Sequence, residues 1–223
     1  PYTTLFRSGW MLKFFDEETM STLSSAEFSA DSETARFELD AETGILSYSY
    51  DMDGDPATAE ILVQVEITQV DNDTFDWNMS VENDSGLTVR KVIMPHGMSF
   101  ENAGLEQVYV PAWEGIVLES AFFVESRSAM FNRASMFADI MAIEHDAGNM
   151  AFYTIQDSLY QANVIPGHNA EEAVIQPADY HIWGNGDSGY VAMEIGAAIP
   201  SGSAWNSATI RFHIDAELDD VLE

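Results

Sequence analysis

The stretch Met136–Asp157, MFADIMAIEHDAGNMAFYTIQD, constrains the fold of this chain more than any other. Two apolar runs flank the turn-forming residues 146–149, where Gly148 can take the positive φ that a tight reversal needs. The stretch therefore predicts a β-hairpin. Its first strand carries apolar side chains on both faces, with Phe137, Met141 and Ile143 on one face and Ala138, Ile140 and Ala142 on the other. Such a strand is expected in the middle of a two-layer structure.

Further strands follow from period-two alternation of apolar and polar residues. The clearest are 61–68 and 74–82, and a turn at 83–86 leads into a third run that Pro95 closes. We expect these three runs to form an antiparallel meander. Shorter strands are predicted at 10–16, 35–39, 44–52, 189–196 and 208–218. About ten to thirteen short strands indicate an all-β, antiparallel β-sandwich, with a barrel as the alternative.

Two stretches, 96–135 and 158–187, interrupt this regularity. In the first, Gly115 predicts a turn between two short strands, while 121–134 is compatible with a loop or a short helix. Among the aromatic residues of these stretches, Trp113, Tyr160, Tyr180 and Trp183 lie where strand packing does not obviously require a ring. Flat apolar rings beside acidic side chains suit sugar rings, but aromatic rings also fix long loops to a sandwich. Both interpretations stay open.

The charge balance excludes some partners. The chain has 38 acidic and 8 basic residues, a net charge of -30, and no cysteine. Nucleic acid and acidic membrane surfaces are disfavoured, because both require a basic footprint. The acidic side chains repel one another, which destabilises the compact state. This repulsion weakens near molar salt, where the Debye length falls from about 8 Å to about 3 Å. We therefore predict a protein from a salty habitat, the alternative being an acidic surface kept for solubility.

No motif nominates a catalytic, metal or cofactor site. Glu144 and His145 are neighbours on a strand, so their side chains point to opposite faces and do not share a ligand. The acidic series at Asp51, Asp53 and Asp55 lacks the glycine and glutamate of a calcium loop and is better explained as a turn. The five histidines are scattered singly. We predict no catalytic residue, no metal and no cofactor.

The ends of the chain are expected to lie outside the fold. Residues 1–8, PYTTLFRS, read like a translated sequencing adapter, which indicates a chain assembled from environmental reads. Residues 9–218 are predicted to form one β-supersandwich domain. Residues 219–223 are expected to begin a linker to a further domain that is missing from this sequence.

Three runs carry a family resemblance: NMSVENDSGLTVRKVIMPH, VYVPAWEGIVLES and SMFADIMAIEHDAGNMAFYTIQD. Residues 60–160 resemble the N-terminal, galactose-mutarotase-like β-supersandwich that precedes a (β/α)₈ barrel in large bacterial glycoside hydrolases. These include the DUF6259 group and relatives among endo-α-N-acetylgalactosaminidases. The similar features are a strand ending in proline, a YVP…G turn, a methionine-rich strand and a return strand with Tyr153 and Asp157.

The resemblance implies a non-catalytic domain of a secreted or periplasmic enzyme acting on polysaccharide or glycan. The C-terminal barrel would supply the catalytic carboxylates, and the sandwich would pack against it and lend a loop to the substrate cleft. Trp113, Glu114 and Asp157 would then contact carbohydrate. Two alternatives stay open. One is a free-standing carbohydrate-binding or cell-surface adhesion module. The other is an aldose epimerase of the mutarotase type, which needs a converging His and Glu, with His96, His145 or His181 as candidates.

Overall fold

The computed structural model of the protein describes residues 10–16, 21–24, 35–40, 45–51, 61–96, 98–125, 127–131, 136, 140–155 and 174–214. These residues form two antiparallel β-sheets packed as a sandwich, which confirms the predicted all-β class. The first half of the strand order is β1 (Met11–Asp16), β2 (Ser21–Ser24), β3 (Ala35–Asp40), β4 (Ile45–Asp51), β5 (Ile61–Gln69), β6 (Thr74–Asn83), β7 (Thr88–Ile93), β8 (Met98–Glu101) and β9 (Leu105–Val110).

The second half contains a short helix among further strands. Its elements are β10 (Ile116–Glu119), α1 (Ser120–Val124), β11 (Ser128–Phe131), β12 (Ile140–His145), β13 (Met150–Ile155), β14 (Val174–Gly184), β15 (Ser188–Ile199), β16 (Ser203–Asn206) and β17 (Thr209–Ile214). Helix α1 joins the edge strand of one sheet to the edge strand of the other.

The smaller sheet has seven strands in the order β11-β14-β15-β7-β1-β2, and β8 also pairs with β15. The larger sheet has ten strands in the order β10-β9-β12-β13-β17-β6-β5-β4-β3, and β16 also pairs with β6. Apolar side chains from the inner faces of both sheets form one core. Among its fully buried members are Phe14, Val63, Met141, Phe152, Tyr180 and Met193.

The predicted hairpin is confirmed. Strands β12 and β13 pair in register from Ile140 opposite Tyr153 to Ile143 opposite Met150. Gly148 lies in the connecting turn with φ 132°, a conformation that L side chains rarely adopt. The hairpin lies inside the ten-stranded sheet, with β9 on one side and β17 on the other. The described part of this strand begins at Ile140, and Met136 before it makes an isolated bridge to Ala112. Phe137 and Ala138, which are predicted to lie on the same strand, are outside the described residues.

The predicted three-stranded meander is wrong. Strands β5 and β6 pair as expected, but β7 leaves their sheet and inserts between β1 and β15 of the other layer. The crossing follows buried Asn83, whose amide donates to the Leu87 and Ile199 carbonyl oxygens, both at 2.8 Å. Its Oδ1 accepts from the Ser85 hydroxyl at 2.7 Å. These bonds hold a turn that directs the chain across the sandwich and not back along β6.

The prediction that 158–187 is irregular is wrong for residues 174–184. Residues 174–184 form the long strand β14, which pairs with β15 and carries Tyr180, His181 and Trp183. The register shifts between Ile175 and Ala178, so a bulge accommodates Pro177 within the strand. The ambiguous stretch after Ser120 contains both the short helix α1 and strand β11.

Candidate functional site

The turn that contains Trp113 presents a large aromatic ring at the open edge of the sandwich. Trp113 is 69% exposed and has φ 54°, a left-handed conformation that is costly for a residue with a Cβ. The turn is fixed from both sides, since Ala112 N donates to Val110 O at 2.8 Å and Gly115 N donates to Ala112 O at 2.9 Å. The backbone therefore holds the ring outward.

One side of the indole is anchored to the core. The rings of Trp113 and Phe131 meet edge to face, with centroids 6.3 Å apart and planes at 71°. Phe131 is 6% exposed and lies on β11, the edge strand of the seven-stranded sheet. Trp113 follows β9 of the ten-stranded sheet, so its ring spans the gap between the two layers. This contact limits the orientations of a side chain that is otherwise open to solvent.

The three residues predicted to contact carbohydrate have different outcomes. Trp113 is exposed and held in place, and Glu114 beside it is exposed. Asp157 lies outside the described residues, as does Tyr160. The structure shows Trp113 and Glu114 exposed on one turn, and carbohydrate contact by all three residues stays a prediction.

A second cluster, which sequence reasoning missed, lies on the outer face of the seven-stranded sheet. Glu194 on β15 is 3% exposed, and each of its carboxylate oxygens accepts a hydrogen bond from a different lysine. Lys13 Nζ lies 2.6 Å from Oε2, and Lys91 Nζ donates to Oε1. His181 Nε2 lies 3.7 Å from Oε2. The only signal in the sequence was that the chain contains just two lysines, and both are used here.

Charge and burial set the protonation states in this cluster. Burial raises the pKa of Glu194, but the hydrogen bonds and charges of Lys13 and Lys91 outweigh that effect and hold the pKa below its usual value. Burial lowers the pKa of His181, and the nearby Glu194 carboxylate opposes this only in part. Near neutral pH, Glu194 is therefore ionised and His181 is uncharged.

An aromatic pair lies on the same face of the sheet. Trp183 and Tyr190 are cross-strand partners whose planes are 9° apart, with centroids at 5.5 Å. Both rings are half-buried, and Asn185 Nδ2 donates to the Tyr190 hydroxyl at 3.0 Å. Tyr180, by contrast, is fully buried and packs 6.1 Å from Phe152. Of the rings considered for sugar contact, Tyr180 therefore belongs to the core.

The geometry of the histidines bears on the epimerase alternative. His145 is occupied by the backbone, since Nε2 donates to Glu101 O and Nδ1 accepts from Ala147 N, both at 3.0 Å. His181 does approach a carboxylate, Glu194, but the two groups face each other directly with no space for a substrate atom between them. Epimerisation needs an acid and a base that both reach the sugar. An uncharged His181 and an ionised Glu194 supply two bases.

Metal ligation and membrane insertion are two further possibilities for the described residues. Within the described ranges, no group of three or more His, Asp or Glu side chains is arranged to hold a metal ion. Glu144 and His145 have separate partners, because the Glu144 carboxylate accepts from Gln107 Nε2 at 2.6 Å. In the same part of the chain, no helix has the length and apolarity to cross a membrane.

Comparison with known proteins identifies no family. No protein-family model matches the chain, and no curated protein sequence matches it. Among solved structures, its fold is similar to heparan sulfate lyase HepC from Pedobacter heparinus, at 9% identity and a TM-score of 0.39. The match covers 82% of this chain and 22% of the lyase. A mutant of the same enzyme matches at 8% identity with the same TM-score and coverage. The chain thus spans about a fifth of that enzyme, and the resemblance to glycoside hydrolases stays a prediction.

Proposed function

We propose that this chain is a carbohydrate-binding β-sandwich domain of a larger glycan-degrading enzyme, and that it does not cleave glycans by itself. The observation that carries the proposal is the Trp113 ring, 69% exposed on a turn whose backbone adopts a strained conformation. Strained residues that the surrounding structure holds in place cluster at ligand-binding sites. A large exposed ring maintained at such a cost suits a ligand with a flat apolar face.

Sugar rings have such a face. Their CH groups stack on indole, while their hydroxyl groups need hydrogen-bond partners beside it. Glu114 follows Trp113 directly and offers carboxylate oxygens to those hydroxyls. The contact with Phe131 keeps the indole from rotating freely, so less entropy is lost when a sugar binds.

The wider role rests on the family resemblance of residues 60–160. In this proposal the sandwich packs against a C-terminal (β/α)₈ barrel of the same protein and presents the Trp113 turn toward its substrate cleft. The enzyme would be secreted or periplasmic, where polysaccharides are available. A free-standing binding or adhesion module would use the same turn without a barrel.

Titration of the chain with soluble polysaccharides tests the proposal. We expect binding that Trp113→Ala weakens about tenfold or more, since an aromatic contact contributes about 0.5–1.5 kcal/mol beyond its buried area. Glu114→Gln should weaken it less. Val117→Ala is the matched control, because Val117 is also an exposed apolar residue, at 48%, on the neighbouring strand β10. Equal losses for Trp113→Ala and Val117→Ala would contradict the proposal.

A reducing-end assay on the same polysaccharides separates binding from cleavage. We expect no release of reducing ends by this chain. Hydrolysis by the purified chain would overturn the non-catalytic part of the proposal while leaving the Trp113 contact intact.

A further inference from the structure

We propose that the outer face of the seven-stranded sheet is a second carbohydrate-binding surface, selective for uncharged oligosaccharides. This inference concerns a different face from the Trp113 turn and holds even if that turn binds nothing. Its two parts are the charged cluster around Glu194 and the aromatic pair formed by Trp183 and Tyr190.

The two parts are adjacent in register. On β14, His181 and Trp183 point away from the core, because the alternating residues Tyr180 and Ile182 are fully buried. His181 pairs with Ala192, and Trp183 pairs with Tyr190. Glu194 lies four residues from Tyr190 on β15, about 13 Å along the strand at about 3.3 Å per residue. This distance leaves room for a short oligosaccharide to contact both parts.

The cluster arranges its cations above its acid. Glu194 is 3% exposed, whereas the side chains of Lys13 and Lys91 are 29% and 46% exposed. A ligand arriving from solvent therefore meets ammonium groups that Glu194 already holds in position. Each ammonium carries three N–H donors and gives one to Glu194. Donors fixed in this way lose little entropy when they bind a hydroxyl group.

Acceptors and an apolar surface complete the site. The half-buried ring of His181, uncharged near neutral pH, lines the site beside Glu194. Asp179, the cross-strand partner of Glu194, adds a second carboxylate on the same face. Trp183 and Tyr190 stack on each other, and the part of this half-buried pair that remains exposed supplies apolar surface beside these polar groups. Fixed donors, acceptors and a ring face are what a polyol with CH patches requires.

The charge count selects the class of sugar. Both lysines are already paired with Glu194, and Asp179 adds a second negative charge opposite it that disfavours a uronate or sulfated sugar. The chain as a whole carries -30 and repels anionic polymers over the range of the Debye length. Uncharged hexose oligosaccharides avoid both penalties.

Calorimetric titration with neutral gluco-, manno- and galacto-oligosaccharides, and with galacturonate oligosaccharides as the charged probe, tests the inference. The titrations are run near 0.15 M salt, where the Debye length is about 8 Å and the net charge still acts on a charged ligand. We expect at least one neutral series to bind. Trp183→Ala should weaken it about tenfold and Lys91→Met should weaken it severalfold, with no measurable galacturonate binding. Arg211→Met is the matched control for loss of a cation, because Arg211 pairs with Asp76 on the ten-stranded sheet.

The outcomes separate the two sites. Binding that Trp113→Ala removes and Trp183→Ala leaves unchanged would overturn this inference and support the Trp113 turn alone. Galacturonate binding as tight as that of the neutral series would overturn the selectivity. If no neutral series binds, the second surface is not a carbohydrate site. Circular dichroism of each variant checks that it folds, and Trp183→Phe, which keeps a ring, should retain most of the affinity.

Discussion

Lys13 and Lys91 lie directly opposite each other on neighbouring strands, and both donate to the carboxylate of Glu194. Like charges placed opposite each other in a sheet are destabilising unless a counter-ion lies between them. Here the counter-ion is a buried glutamate, so the three side chains depend on one another. The N-terminal strand β1 is thereby tied to β15, whose Glu194 lies 181 residues from Lys13 along the chain.

Removing these lysines should show strong coupling. Lys13→Met and Lys91→Met should each lower the free energy of unfolding by about 1 kcal/mol, because Glu194 keeps one partner. The double variant should lose more than the sum, since it leaves a buried carboxylate unpaired. Urea denaturation measures all three, and adding Glu194→Leu to the double variant should restore stability. Additive losses would show that the lysines act independently.

The backbone strain at Trp113 can be measured separately from binding. Trp113→Ala keeps a Cβ at φ 54°, while Trp113→Gly removes it. Both lose the contact with Phe131, so Trp113→Gly should be more stable than Trp113→Ala by about 1 kcal/mol. Chemical denaturation gives the difference. Equal stabilities would mean that the turn stores no strain.

The stability of the fold should decrease on mild acidification. Burial lowers the pKa of both His181 and His213, so the unfolded chain binds more protons below about pH 6.5, the usual histidine pKa. Unfolding free energy should therefore fall from about pH 7.5 to about pH 5.5. His213 contacts the Thr74 and Tyr153 hydroxyls through its ring nitrogens, at 3.2 and 3.1 Å.

Glutamine variants identify the source of this pH dependence. His181→Gln and His213→Gln should each flatten the dependence, and the double variant should flatten it most. The carboxylate of Glu194 does not contribute in this window, because its pKa lies below the usual 4.5 and its stabilisation is lost only at lower pH. An unchanged slope in the double variant would assign the effect to other groups.

Salt should raise the melting temperature. The net charge of -30 repels itself less as the Debye length shrinks from about 8 Å to about 3 Å. Thermal unfolding in increasing KCl measures the slope. Replacing the exposed Glu82, Glu106 and Glu119 together with glutamine should flatten it. A melting temperature that is flat or falls with salt would remove the prediction of a salty habitat.

Asn83 should be among the most sensitive polar positions. It is 1% exposed and bonds to two carbonyl oxygens and to Ser85. Asn83→Ala should cost about 1–3 kcal/mol, because the carbonyls of Leu87 and Ile199 lose their donor. Asn206→Ala, at an exposed position, should cost less than about 0.5 kcal/mol. Thermal or urea unfolding of the two variants measures both losses, and a loss for Asn83→Ala no larger than that for Asn206→Ala would contradict the prediction.

The sequence predicted those features whose cause is local. The hairpin at Gly148 and the alternation in β5 and β6 depend on turn chemistry and on period-two burial, and both are found. The predicted meander was wrong about β7, because nothing in the sequence of the Asn83–Leu87 turn reveals that Asn83 bonds to Ile199, 116 residues away. Strand β14 was missed because the breakers Pro166, Gly167, Gly184 and Gly186 indicate an irregular stretch, although β14 runs up to Gly184 itself.

The candidate sites divide in the same way. Trp113 could be singled out from sequence because it precedes a glycine in a turn between short strands. The cluster at Glu194 could not, because Lys13, Lys91 and His181 reach it from three other strands. Long-range register brings these residues together, and a single sequence does not encode that register in any local pattern.

The position of β7 has a consequence for how the chain acquires its fold. Its two neighbours in the sheet come from residues 11–16 and 188–199, so the middle of the smaller layer cannot be completed until both distant segments have found it. Contacts between such distant segments form only after large loops have closed, and loop closure costs chain entropy. All-β proteins of this kind therefore fold in the millisecond-to-second range. During synthesis β7 emerges long before β15, so the edge of β7 that β15 covers in the folded chain stays unpaired until residues 188–199 have been made.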